Sequence, residues 1–197
     1  MLPTGYSKRY DWLWQQSIPL DNSALPRFTK PHLHLLEKAD FLTPSEKLEL
    51  LGILLHQKFT GELSLDNRTA KSELLAQLGL EHFTNSYRHS RKGLLRWLQV
   101  CSNPTICQFV KKHSKTMSPM EAGLLYGYPI TAILAYMNLI ARKTVKKSKH
   151  PADWFFGMVH SRDYYNEECK QTKQFLTQIQ TISPKIYREL LIRYRTR

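Results

Sequence analysis

The sequence predicts an all-α fold, a compact multi-helix bundle over residues 31–197 preceded by an irregular aromatic arm at 1–30. Three observations predict it. Thr43-Pro44, Ser118-Pro119 and Ser183-Pro184 each place a capping hydroxyl and a first-turn proline before an apolar run. Apolar residues then recur at three- and four-residue spacing through most of the chain. No run of four or more residues alternates apolar and polar side chains with β-branched enrichment, so no strand is expected.

The elements follow in order. Residues 1–30 hold Pro3, Pro19 and Pro26 among aromatics, and Tyr10, Trp12, Leu13 and Trp14 would anchor such an arm by burying aromatic area. A first helix reads at about 31–41. The second starts at Pro44, carries Leu48, Leu51, Leu54, Leu55 and Phe59 on its apolar positions, and meets Gly61 as a stop. Glu46 and Glu121 stand three residues after Thr43 and Ser118, completing two capping boxes. Further helices read at about 68–78, 85–101, 104–114, 130–147 and 162–181. From Pro184, Ile186, Tyr187, Leu190, Leu191 and Tyr194 share one face, and Lys185, Arg188 and Arg195 lie on the other. Residues 145–153, with Lys146, Lys147, Lys149 and His150 before Pro151, read as a basic loop.

Composition sets bounds on function. The chain has 197 residues, 29 Lys and Arg against 16 Asp and Glu, a net charge of +13 and a pI of about 9.7. With 42% hydrophobic and 11% aromatic residues it can bury a core, which argues against disorder. Three Cys at irregular spacing make neither a disulfide framework nor a Cys-x-x-Cys zinc unit. The stretch Met1–Trp14 has no apolar signal-peptide region, and a reducing, cytoplasmic setting is the default expectation. No P-loop, dinucleotide fingerprint, nucleophile elbow or His-Glu-x-x-His motif is present, and no cofactor is expected.

Residues 122–141 carry no charged side chain, the length of a bilayer span. Gly127-Tyr128-Pro129 interrupts the run early, and the pre-proline Tyr128 is pushed out of the helical region. A buried pair of short helices is therefore expected rather than a membrane segment. The stretch Pro119-Met120-Glu121-Ala122-Gly123-Leu124-Leu125-Tyr126-Gly127-Tyr128-Pro129, with Ile130–Ile133, resembles the Glu-x-Gly-x-x-x-Gly-Tyr-Pro segment of an uncharacterised bacterial family of unknown function. It covers roughly 15 residues, and the resemblance implies no activity.

Charge supplies the functional expectation. Residues 111–197 hold 16 basic and 6 acidic residues, and residues 1–110 hold 13 and 10, so the excess is concentrated beyond residue 110. On a continued helix Arg142, Lys143, Lys146 and Lys147 share a face, and the last helix adds Lys185, Arg188, Arg193, Arg195 and Arg197. A second stripe, Arg88, Lys92 and Arg96, has helical spacing, with Arg91 beside it and Tyr87 and Trp97 interleaved. Clusters of one sign suit a phosphate backbone, because each contact releases condensed counterions. The expected partner is therefore nucleic acid or another polyanion, met at Arg88, Lys92, Arg96, Arg142, Lys143, Lys146, Lys147, Arg188 and Arg195. Ser72–Gly79 followed by the basic stripe also invites a helix-turn-helix reading, against a plain αα-hairpin with Gly79 as the helix stop.

Two alternatives stand beside it. His160, Asp163 and Glu167 fall at i, i+3 and i+7 with Glu168 adjacent, a donor set suited to a divalent metal in a metal-assisted enzyme. The bland reading is a solvated face of a helix, Glu167 pairing with Lys170. The other alternative is a protein-interaction module whose basic faces recognise an acidic partner. Cys101 and Cys107, six apart, read as idle thiols.

Overall fold

The computed structural model describes residues 28–89, 93–143 and 160–195. The expected helix starts fall where the caps put them. Helix α1 spans Lys30–Lys38, α2 Pro44–Leu54, α3 Arg68–Gln77, α4 Pro104–His113, α5 Pro119–Leu125 and α6 Ile130–Tyr136; α7 is Tyr165–Ile182 and α8 Pro184–Arg195. Both capping boxes close. The Glu46 N–H donates to Thr43 Oγ1 at 3.3 Å and the Thr43 N–H to Glu46 Oε2 at 2.9 Å. The Ser118–Glu121 pair repeats the arrangement at 3.2 and 2.7 Å. Ser183 Oγ accepts from the Ile186 N–H at the start of α8.

The all-α expectation is overturned by two antiparallel sheets, which make the fold α+β. Strands β1 (Thr60–Leu63), β2 (Glu81–His89) and β3 (Gly93–Cys101) form one sheet in the order β1-β3-β2. The short strands β4 (Arg142–Lys143) and β5 (His160–Ser161) form the other. The segment expected as a helix at 85–101 is thus a hairpin, paired from Glu81↔Cys101 out to His89↔Gly93. A helix-turn-helix is excluded by the same pairing, because α3 leads into a strand. Gly79 does stop α3, at φ +67°, with the Leu80 N–H returning to the Leu75 carbonyl.

The alternation that announces a strand is missing here for a physical reason. At its base the sheet is covered on both faces. Leu63, Leu98 and Val100 enter a core built with α2, α3, α7 and α8, centred on Leu50, Leu51, Leu75, Ile179 and Ile186. Cys101 and Phe83 enter a second core with Ile106, Phe109, Val110 and Leu125 of α4 and α5. Farther out, residues 85–87 and 93–97 are exposed or half-buried on both faces, so neither half shows a clean apolar–polar period.

Two other boundaries move. Helix α2 ends at Leu54, not Gly61, because His56 takes φ +58° and the Gln57 N–H closes back on the Gly52 carbonyl. Gly61 instead lies in β1 opposite Val100. The helix expected at 130–147 stops at Tyr136, where Asn138 takes the left-handed conformation at φ +60°. The uncharged stretch is therefore two seven-residue helices, α5 and α6, joined at Gly127. Among the described residues no helix is long and apolar enough to cross a membrane. The N-terminal arm, with Tyr10, Trp12, Leu13 and Trp14, and the basic loop at 145–153 lie outside the described residues.

Candidate nucleic-acid interface

Strand β1 pairs with β3 only from Leu98 to Cys101. Beyond that point, among the described residues, β2 and β3 pair only with each other for five residue pairs, Asn85↔Trp97 to His89↔Gly93. At the usual rise this two-stranded ribbon extends roughly 17 Å past the three-stranded sheet. Gly93 enters it at φ +72°. Exposed Arg96 stands opposite exposed Ser86, and Arg88 stands opposite Leu94. On the other face exposed Tyr87 is opposite Leu95, and half-buried Trp97 is opposite Asn85. Tyr87 and Leu94 are 59% and 51% exposed, one on each face of the ribbon. Arg91 and Lys92 lie outside the described residues.

The ribbon is held at its root by a buried amide. Gln99 Nε2 donates to Thr60 Oγ1 at 2.6 Å, to the Gly61 carbonyl at 3.0 Å and to the Tyr126 hydroxyl at 3.3 Å. Its Oε1 accepts from Trp97 Nε1 at 2.9 Å and from Asn85 Nδ2 at 3.3 Å. One side chain thus ties β1, both ribbon strands and the end of α5 together. The Tyr126 hydroxyl also donates to Glu62 Oε1. Although Glu62 is exposed as a residue, loss of water around its carboxyl and repulsion from Glu49 hold its pKa above the ordinary value, against the Tyr126 hydroxyl and Lys58. Loss of water and the neighbouring Glu62 charge push the Tyr126 phenol far up. The next residue, Gly127, seats this corner: at φ +75° its Cβ position lies 2.3 Å from the Gln57 carbonyl oxygen.

The remaining basic candidates occupy other elements. Arg142 Nε donates to the Ala135 carbonyl at 2.8 Å, and its guanidinium also reaches the Tyr136 carbonyl, so it caps the end of α6. Lys143 sets its ammonium 3.6 Å from the centre of the Tyr165 ring. Arg188 is exposed on α8, its Nε 3.3 Å from the Pro184 carbonyl one turn back. Lys185 donates to the Glu37 carbonyl at 2.7 Å, and Lys47 pairs with Glu189 at 3.0 Å, so α8 is clamped to α1 and α2. Arg142 and Lys143 sit on a strand, not a helix, which breaks the four-residue face expected with Lys146 and Lys147; those two lie outside the described residues. Arg195 ends α8. The basic candidates therefore form separate groups at the ribbon, at β4 and on α8.

The metal set does not assemble. His160 is buried, whereas Asp163 and Glu167 are exposed, and Asp163 accepts from Arg162 Nε at 2.9 Å. Helix α7 starts at Tyr165, so His160 belongs to β5 and the expected shared helix face does not exist. Among the described residues no three His, Cys, Asp or Glu side chains are placed to hold a metal ion. The partner of His160 is Glu168. Its Nδ1 donates to Glu168 Oε2 at 3.1 Å, and Thr131 Oγ1 donates to Oε1 at 2.6 Å. Burial raises the Glu168 pKa, but these bonds and those from Ser161 outweigh it and leave it below the ordinary value. This buried knot joins α6, β5 and α7.

One buried cluster had no sequence signal beyond a capping glutamate. Lys71, fully buried, sets Nζ 2.6 Å from Glu46 Oε1 and 2.7 Å from Ser64 Oγ. Comparison with known proteins gives no match to any family model, any curated protein or any solved structure.

Proposed function

We propose that the protein binds nucleic acid, with the β2–β3 ribbon as the element that enters a groove or lies along a strand. The observation that carries the reading is the stretch of the β2–β3 ribbon that no third strand pairs among the described residues, with exposed Arg96 opposite Ser86 and exposed Tyr87 opposite Leu95. A two-stranded ribbon fits the B-form major groove, about 12 Å wide and 8.5 Å deep, which a ribbon of roughly 17 Å is long enough to reach into. Arginine contacts phosphate or guanine edges, and an exposed aromatic stacks on bases. The net charge of +13 supports the same reading, because long-range attraction to a polyanion needs no precise geometry. The Gln99 root supports it too, since a ribbon must be stiffly mounted to transmit binding energy. Arg142, Lys143, Arg188 and Arg195 are auxiliary phosphate contacts in this reading, with Arg142 and Lys143 also spent on local structure.

Fluorescence anisotropy with labelled duplex DNA, single-stranded DNA and RNA at low ionic strength tests the proposal. Affinity that falls steeply with added salt supports it. No binding to any of the three, or binding only to an acidic protein, overturns it.

A further inference from the structure

The two faces of the ribbon carry different chemistry. Side chains alternate between faces along a strand, and the register of β2 with β3 sorts them. Phe83, Asn85 and Tyr87 of β2 share one face with Leu95, Trp97 and Gln99 of β3, and Ser86 and Arg88 share the other with Leu94 and Arg96. The hydrogen bonds that Trp97 Nε1 and Asn85 Nδ2 donate to Gln99 Oε1, at 2.9 and 3.3 Å, agree with the first grouping. On that face Tyr87, opposite Leu95, and Trp97, opposite Asn85, are diagonal neighbours, a relation that sets strand residues about 7–8 Å apart. Two rings that hold one base between them stand about 6.8 Å apart, twice the stacking step of about 3.4 Å. Trp97 is pinned by its bond to buried Gln99, and Tyr87 is exposed.

The charge around this face has one sign. Residues 82–120 hold seven Lys and Arg and no Asp or Glu. Helix α4 covers the root of the same face, where Ile106, Phe109 and Val110 cluster with Phe83 and Cys101. Exposed Lys111 and Lys112 of α4, and exposed Lys115 just beyond it, therefore stand on the aromatic side of the sheet. The strand acids on this face, Glu62 and Glu81, lie at its root opposite Gln99 and Cys101.

Given nucleic-acid binding at the ribbon, on which this depends, we propose that the face of Tyr87 and Trp97 is a stacking platform for the unpaired bases of a single-stranded nucleic acid. Its phosphates run over Lys111, Lys112 and Lys115. A single strand leaves the flat faces of its bases open, whereas a duplex covers them with neighbouring bases and offers only base edges in its grooves. Duplex therefore meets the arginine face alone, and a single strand gains the aromatic face. Every base has a π-face, so this contact is tolerant of sequence.

Anisotropy titrations of the full chain with labelled oligothymidylate, oligouridylate and a duplex DNA test the proposal. Tyr87→Ala is expected to weaken binding of both single strands about 5- to 150-fold, the equivalent of one lost base stack, and to leave duplex affinity nearly unchanged. Tyr87→Phe keeps the ring and is expected to bind as wild type does. Lys111→Ala/Lys112→Ala/Lys115→Ala is expected to flatten the single-strand salt slope by about two, near 0.7 for each lost phosphate contact. Because Tyr87 is exposed, an unchanged melting temperature separates lost stacking from lost fold. Equal weakening of single strand and duplex by Tyr87→Ala, or weakening of neither, overturns the stacking face while nucleic-acid binding by the ribbon stands. Absence of binding to all three probes overturns both. A wild-type dimer that Tyr87→Ala makes monomeric, with single-strand affinity unchanged, overturns the proposal in favour of a second copy of the chain on this face.

Discussion

Lys71 Nζ lies 2.6 Å from Glu46 Oε1 with both residues buried, so a cation from α3 neutralises the carboxylate that caps α2. Glu46 also accepts from the Thr43 N–H and from the N–H and hydroxyl of Ser64. Removing one member of such a pair strands the other charge. Lys71→Met is therefore expected to lower unfolding free energy by about 3–5 kcal/mol in urea denaturation. The double variant Lys71→Met/Glu46→Gln is expected to recover part of that loss. Equal destabilisation by both would show that packing, not the stranded charge, sets the cost.

Acid is expected to weaken the fold through Glu46 and Glu168. Burial raises both carboxyls, but their hydrogen-bond partners overcome it and leave each below the ordinary value of 4.5. A carboxyl depressed in the folded state contributes stability that is complete above its unfolded pKa and lost as pH falls through the folded one. Melting temperature is thus expected to fall below about pH 4.5. Glu62 acts in the opposite sense, because its raised pKa favours folding below 4.5 and costs stability as pH rises through the folded value. Glu62→Gln is expected to raise the melting temperature at pH 7 and to lose that advantage at pH 4. A Glu62→Gln melting temperature below wild type at pH 7 would contradict this assignment.

Gly127 tests the corner that carries Tyr126. Any Cβ there would meet the Gln57 carbonyl oxygen at 2.3 Å and the Lys58 Cβ at 2.9 Å, in a conformation of φ +75°. Backbone cannot give way as a side chain can. Gly127→Ala is expected to cost about 2–4 kcal/mol. Gly79→Ala, where the space is open at φ +67°, is expected to cost about 1 kcal/mol. Denaturant midpoints for the pair check the order.

How much was legible in the sequence depended on whether a signal is local. Caps are local, and Thr43, Ser118 and Ser183 marked three helix starts without error. The hairpin was not, since Leu94, Leu95 and Leu98 mimic helical spacing, and the pairing with β1 that buries Leu98 and Gln99 is long-range. Arg88 and Arg96 were singled out for a helical stripe that does not exist, and strand pairing nonetheless places both on one ribbon. Helical spacing groups His160 with Asp163 and Glu167 and leaves Glu168 merely adjacent. The partner Glu168 is reached from a strand rather than from the same helix, a geometry that spacing cannot reveal.

Nucleic-acid binding through the β2–β3 ribbon predicts a defined salt dependence of affinity. For duplex DNA, the slope of log K against log salt is expected to shrink by about two between wild type and Arg88→Ala/Arg96→Ala, at nearly unchanged melting temperature, as two phosphate contacts are lost. A slope and affinity equal to wild type in that variant would show that the ribbon arginines do not contact the phosphate backbone.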